Sequence, residues 1–186
     1  MALQLTPSQT VGPYFSIGLT WADGAFVVPD GTPGAIRITG TVYDGEGEPI
    51  PDAMLESWQA DGEGRYNHPD DPRGGDASGF RGFARAPTNA EGTFTIHTVK
   101  PGPVPGPDGA TQAPHVELSV FARGLLNRVV TRIYFADETD LNAADPILQS
   151  VPEERRGTLL AEPAGDGSYR FDVHLQGEGE TVFFAL

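Results

Sequence analysis

Two side chains have the clearest capacity for chemistry. Tyr66 closes the run Gly62-Glu63-Gly64-Arg65-Tyr66, and His115 closes Ala113-Pro114-His115. A phenol and an imidazole are oxygen and nitrogen donors. Glu117 stands two residues beyond His115, a spacing that puts both on one face of a strand. The chain has no cysteine, which excludes a thiolate nucleophile, a disulfide framework and any cysteine-held zinc or iron–sulfur site. A metal here would need oxygen and nitrogen ligands. Taken alone, Tyr66 and His115 read equally well as hydrogen-bonded interior groups. His68, His97 and His174 have no partner at ligand spacing, and Glu153-Glu154-Arg155-Arg156 reads as a solvated charge cluster.

The elements that must position these groups are strands. Glycine (24) and proline (17) fall between short runs of alternating apolar and polar residues, so the chain reads as mainly β. Strands are expected at 36–44, 53–60, 80–86, 93–98, 115–122, 128–135, 169–175 and 181–184, with turns at Asp44-Gly45 and Glu91-Gly92. Only 140–150 and 152–160 look helical. This pattern predicts a two-sheet β-sandwich with short helical segments, residues 36–186, preceded by an irregular N-terminal arm, residues 1–35. In 115–122, Val116, Leu118 and Val120 point one way, and His115, Glu117, Ser119 and Phe121 the other. Trp58 alternates with Leu55 and is a candidate for core on the opposite face. The Pro- and Gly-rich stretch 100–113 reads as a long functional loop.

Composition narrows the function. Against 26 Asp and Glu stand 12 Lys and Arg, a net charge of −14 over 186 residues. Such a surface repels phosphate backbones and anionic lipid, so neither nucleic acid nor membrane is an expected partner. Residues 1–10 show no basic stretch followed by an apolar run, and nothing approaches the roughly 20 apolar residues of a membrane span. A cytoplasmic protein is expected.

Read together, Glu56-Ser57-Trp58-Gln59-Ala60-Asp61 leading to Gly64-Arg65-Tyr66, then Thr98-Val99-Lys100-Pro101-Gly102, then Ala113-Pro114-His115 resemble the intradiol ring-cleavage dioxygenases. Order and spacing agree over most of the chain. Thr6-Pro7-Ser8-Gln9-Thr10 with Gly12-Pro13-Tyr14, Phe121-Ala122-Arg123-Gly124 and the stretch from Gln176 to Phe184 look like the α chain of the two-chain members. The resemblance implies a non-haem ferric ion held by two tyrosines and two histidines, because phenolates are hard donors that favour Fe(III). It also implies cleavage of a catechol between its hydroxyl-bearing carbons, with both atoms of dioxygen inserted.

Carried over by position, Tyr66 and His115 match one ligand of each kind, whereas Val104 and Glu117 occupy the other two positions. The resemblance therefore implies no catalytic residue and no metal in this chain by itself. The Fe(3+) would belong to an iron-bearing β subunit, paired with this chain in a hetero-oligomer acting on a small aromatic substrate and dioxygen. By the same likeness Gly12, Pro13, Tyr14 and Arg123 would line the partner's pocket, the arginine suiting an aromatic carboxylate. The plain alternative for Arg123 is a solvated side chain beside Gly124. For the whole chain it is a sandwich that binds or scaffolds without iron chemistry. A self-sufficient relative would carry an added N-terminal helical domain, and no helical run of that size precedes Ile36.

Overall fold

The computed structural model describes residues 5–12, 14–73, 79–106 and 109–185. In chain order the elements are α1 (Tyr14–Gly18), β1 (Ala35–Tyr43), β2 (Met54–Trp58), β3 (Phe83–Pro87), β4 (Thr93–Val99), β5 (Val104–Pro105), β6 (Thr111–Gln112), β7 (His115–Phe121) and β8 (Val129–Phe135). They continue with α2 (Thr139–Ala144), α3 (Pro146–Ser150), α4 (Glu153–Arg156), a 3-10 turn (Gly157–Leu159), β9 (Leu160–Gly165), β10 (Ser168–Arg170) and β11 (Val173–His174).

Alternation drives the layering. In β4 every second residue is buried, and in β7 Val116, Leu118 and Val120 are fully buried. One layer is β4-β1-β10-β9, with β11 continuing along β1, and the other is β3-β2-β7-β8-β9. Their inner faces meet in a single core. Ile38, Val42, Phe94 and Ile96 face Leu55, Leu118, Val120 and Ile133, the arrangement of a sandwich. Strand β9 belongs to both layers: Tyr134 and Phe135 of β8 pair in parallel with Leu160 and Ala161, whereas Glu162 to Gly165 pair with β10. Val27 and Val28 of the arm are buried in the same core. Val27 takes a hydrogen bond from Arg81 and gives one to the His97 carbonyl, so the latter part of the arm packs as part of the sandwich.

Several elements differ from expectation, each for a local reason. The strand expected at 169–175 is broken into β10 and β11 because Asp172 Oδ1 takes the Thr41 amide (2.8 Å) that a continuous ladder would use. The Phe171 carbonyl presses so close to Gly40 that a Cβ there would sit 1.6 Å away. Residues 181–184 form no strand; the Thr181 and Phe184 amides make isolated bonds to His174 and Val130. The segment 140–150 is two helices, since Pro146 cannot donate to a continuing ladder and Asp145 instead caps α3 through the Ile147 and Leu148 amides. The helical reading of 152–160 holds only to Leu159, and β9 was hidden by Pro163, Gly165 and an unbroken run of exposed residues from Glu162 on, which erases alternation. The long loop 100–113 contains the β5–β6 hairpin. The Glu153–Arg156 segment is solvated only at its glutamates; Arg155 and Arg156 bind the carbonyls of Glu180 and Val151. No helix among the described residues is long and apolar enough to cross a membrane.

Candidate functional site

Cross-strand register builds the site on the outer face of the second layer. Glu117 of β7 stands opposite Trp58 of β2 and Arg132 of β8, and Trp58 stands opposite Phe83 of β3. Phe83, Trp58, Glu117 and Arg132 thus form one row, with His115 and Tyr134 paired beside it. Trp58 is half-buried in this row and is not part of the core. Helix α3 and the turn after α4 cover the next stretch, where Leu148, Val151 and Leu159 pack with Tyr134 and Ala113.

Tyr66 enters from the loop after β2. Asp61 shapes that loop by accepting from the amides of Glu63 and Arg65 at 2.9 Å and from Arg65 Nε at 2.8 Å. Gly64 has φ +73°, and a Cβ on it would lie 2.1 Å from the Pro103 carbonyl oxygen, so only glycine lets this loop close onto the strand that carries Val104. The Tyr66 amide donates to Asp71 Oδ2 (2.8 Å), and Arg73 bridges Asp71 and the Gly64 carbonyl. The phenol ring then lies parallel to Trp58, with centroids 6.2 Å apart. These rings, with His68, Pro72, Arg73 and Pro105, line a cleft of about 680 Å³.

The structure brings Tyr66, His115 and Glu117 into one electrostatic unit. Val104 is buried in β5, next to Gln112 of β6. His115 is nearly sealed, and its Nδ1 lies 2.7 Å from the Ala113 carbonyl, which can only accept; the proton is therefore on Nδ1 and the Nε2 lone pair is free. That Nε2 is 3.7 Å from Glu117 Oε1, too far for a hydrogen bond. Arg132 fills the remaining space. Its Nη2 is 2.6 Å from Glu117 Oε1, and its Nη1 donates to Gln112 Oε1 (2.7 Å) and to the Tyr134 hydroxyl (3.2 Å). Tyr134 donates in turn to Asp145, which also accepts from the Ala113 amide at 2.7 Å.

The charges follow. Burial, reinforced by the Glu117 carboxylate, raises the Tyr66 phenol above its ordinary range. Burial, and then Arg132, lower the His115 imidazole, so it is neutral near pH 7. Burial pulls Arg132 down most, but Glu117 and the Tyr134 hydroxyl together outweigh it and the guanidinium stays charged. A ferric ion needs anionic donors. This set keeps one phenol and one imidazole, but a valine stands in the third place and a carboxylate already neutralised by a guanidinium in the fourth, and it does not fit that ion.

The second group of expected residues lies at the other end of β7. The Thr10 hydroxyl accepts from the Gly124 amide (3.2 Å) and from the Gly12 amide (3.4 Å), which brings the arm beside the turn that carries Arg123. Pro13 lies outside the described residues. Tyr14 is 78% exposed, while its neighbour Phe15 is buried with its ring 6.5 Å from Phe121. The Arg123 side chain is 62% exposed, and its Nε is 3.3 Å from Asp52 Oδ2. Val11, Ile17, Leu19, Trp21 and Leu126 are exposed as well.

Sequence reasoning overlooked Arg132 and Asp145. The first had a signal: an arginine midway along an apolar strand, two residues before Tyr134, must find a carboxylate if its neighbours are buried. Asp145 before Pro146 is also a readable helix cap.

With the geometry in place, comparison with known proteins is direct. The family model described as Dioxygenase matches residues 10–177. The chain is 43% identical to the "Protocatechuate 3,4-dioxygenase alpha chain" of Burkholderia cepacia, over 98% of each chain. It is 35% identical to the "Protocatechuate 3,4-dioxygenase beta chain" of the same organism, over 78% of this chain and 66% of that one. The solved dioxygenase domain of a dioxygenase carbohydrate-binding protein fusion from Streptomyces sp. SirexAA-E superposes with a TM-score of 0.58 at 28% identity, covering 94% of this chain and 99% of that one. The chain belongs to the intradiol ring-cleavage dioxygenase family.

Proposed function

We propose that this chain is the α subunit of a two-chain protocatechuate 3,4-dioxygenase, shaping a pocket whose iron is carried by a homologous β subunit. The observation that carries the reading is the filled remnant centre. Two of the expected donors are replaced by Val104 and Glu117, and Arg132 neutralises the one new carboxylate. Likeness to an α chain over nearly the full length, and weaker likeness to a β chain, support a pair of related subunits.

The reaction breaks the bond between the two hydroxyl-bearing carbons of protocatechuate and adds one oxygen atom of dioxygen to each, giving 3-carboxy-cis,cis-muconate. Iron on the β subunit supplies the activation of the ring toward dioxygen. This chain's own residues supply surroundings: Gly12, Pro13 and Tyr14 wall the pocket, and Arg123 draws in the substrate carboxylate. The exposed Val11, Tyr14, Ile17, Leu19, Trp21 and Leu126 form the apolar part of the contact.

The test is co-expression. The chain alone should be colourless and should consume no oxygen with protocatechuate, whereas the chain co-purified with its β partner should show the tyrosinate-to-iron absorption and oxygen uptake. Colour and turnover in the chain alone would overturn the reading.

A further inference from the structure

We propose that Arg132 is a tethered cation that takes the place of a metal's charge, and that Arg132, more than the missing ligands, keeps metal ions out of this chain. The inference rests on family membership and on distances within the chain, and does not depend on the partner.

The surviving donors are still arranged as ligands. His115 keeps the hydrogen bond from Nδ1 to a backbone carbonyl that orients a metal-binding imidazole, leaving Nε2 free. Two donors sharing a tetrahedral ion at about 2.1 Å are about 3.4 Å apart, and Nε2 and Glu117 Oε1 are separated by 3.7 Å. Glu117 is 34% exposed and His115 4%, so solvent reaches the pair from the carboxylate side. What blocks it is the identity of the oxygen. Oε1, the atom nearest the imidazole, is also the atom 2.6 Å from Arg132 Nη2, so an ion bound between the donors would sit against a guanidinium.

Arg132 cannot readily swing away. Gln112 and Tyr134 hold its other nitrogen, and Gln112 Nε2 is tied to the Pro105 carbonyl at 3.2 Å. The hairpin that bears Val104 is thus a clamp on the cation. Only 15% of the Arg132 side chain is exposed, which keeps its charge poorly screened.

The experiment is a cobalt(II) titration followed by visible absorption. It uses the full-length chain with any subunit that co-purifies, each variant compared with its parent so that a partner's metal cancels. Arg132→Gln keeps a polar side chain and removes the charge; it should bind one extra cobalt ion at least about tenfold more tightly than the parent. Arg132→Lys should bind no more than the parent. Adding His115→Asn to Arg132→Gln should abolish the gain. Equal binding by parent and Arg132→Gln overturns the proposal. Glu117→Gln reads the same claim without metal and covers the case in which Arg132→Gln fails to fold. It leaves the guanidinium without its counter-ion, so formate should raise the melting temperature of Glu117→Gln and leave the parent unchanged. No response to formate overturns the tethered-cation role.

Discussion

Strand β7 begins and ends in opposite conditions. At its first residues, His115 and Glu117 are enclosed by Arg132, Tyr134 and Asp145, and every charge has an internal partner. Just past its last residue, Arg123 is held by a single carboxylate and is 62% exposed, and the neighbouring arm carries exposed Val11, Tyr14 and Ile17. The same sheet supports both ends, so the fold does not dictate the contrast. One end has been closed by substituting charge for charge, and the other keeps surface that an isolated chain has no use for. On the function proposed above, the open end is the one that works.

The comparison can be broken first at the closed end, where the largest effect is expected. Asp145 is fully buried and accepts from the amides of Ala113, Ile147 and Leu148 and from Tyr134. Asp145→Ala orphans all four donors and should cost about 3 kcal/mol or more in urea unfolding. A cost under about 1 kcal/mol would show that the closed end is not one unit.

At the open end the expected losses are in association and binding. Ile17 is 74% exposed; Ile17→Asp should leave the melting temperature of the chain unchanged and weaken assembly with the β subunit about tenfold or more, read by analytical ultracentrifugation. Arg123→Ala should raise KM for protocatechuate about tenfold, with kcat and stability little changed. Unaltered kinetics would remove Arg123 from the pocket wall.

The smallest effect concerns pH and the root of the arm. His97 stacks on Phe26 with centroids 4.2 Å apart, and burial, then Arg37, lower its pKa from 6.5. The unfolded chain takes up this proton first, so the stabilisation is complete above pH 6.5 and is lost as pH falls below it. Thermal unfolding from pH 7 to 5 should fall more steeply for the parent than for His97→Gln.

How much of this could be read from sequence depended on whether a feature was local. Alternation in 93–98 and 115–122 gave the strands and the outward set His115, Glu117, Ser119 and Phe121 correctly, because burial on one face fixes side-chain period. Strand β9 was illegible, since its β8 partner is distant in sequence and the residues it pairs with β10 are solvated, which removes the alternation that would mark that hairpin. The losses at Val104 and Glu117 were visible by position. The reason the site stays closed was not, because Arg132 meets Glu117 only through the pairing of β7 with β8.

Strand β9 carries a mechanical consequence. Because its first residues are stitched to one layer and its last to the other, neither sheet can be peeled off without tearing a seam common to both. Slow amide exchange in Ile38 and in Val116 should therefore report a single opening event, and the sandwich would yield as one cooperative body.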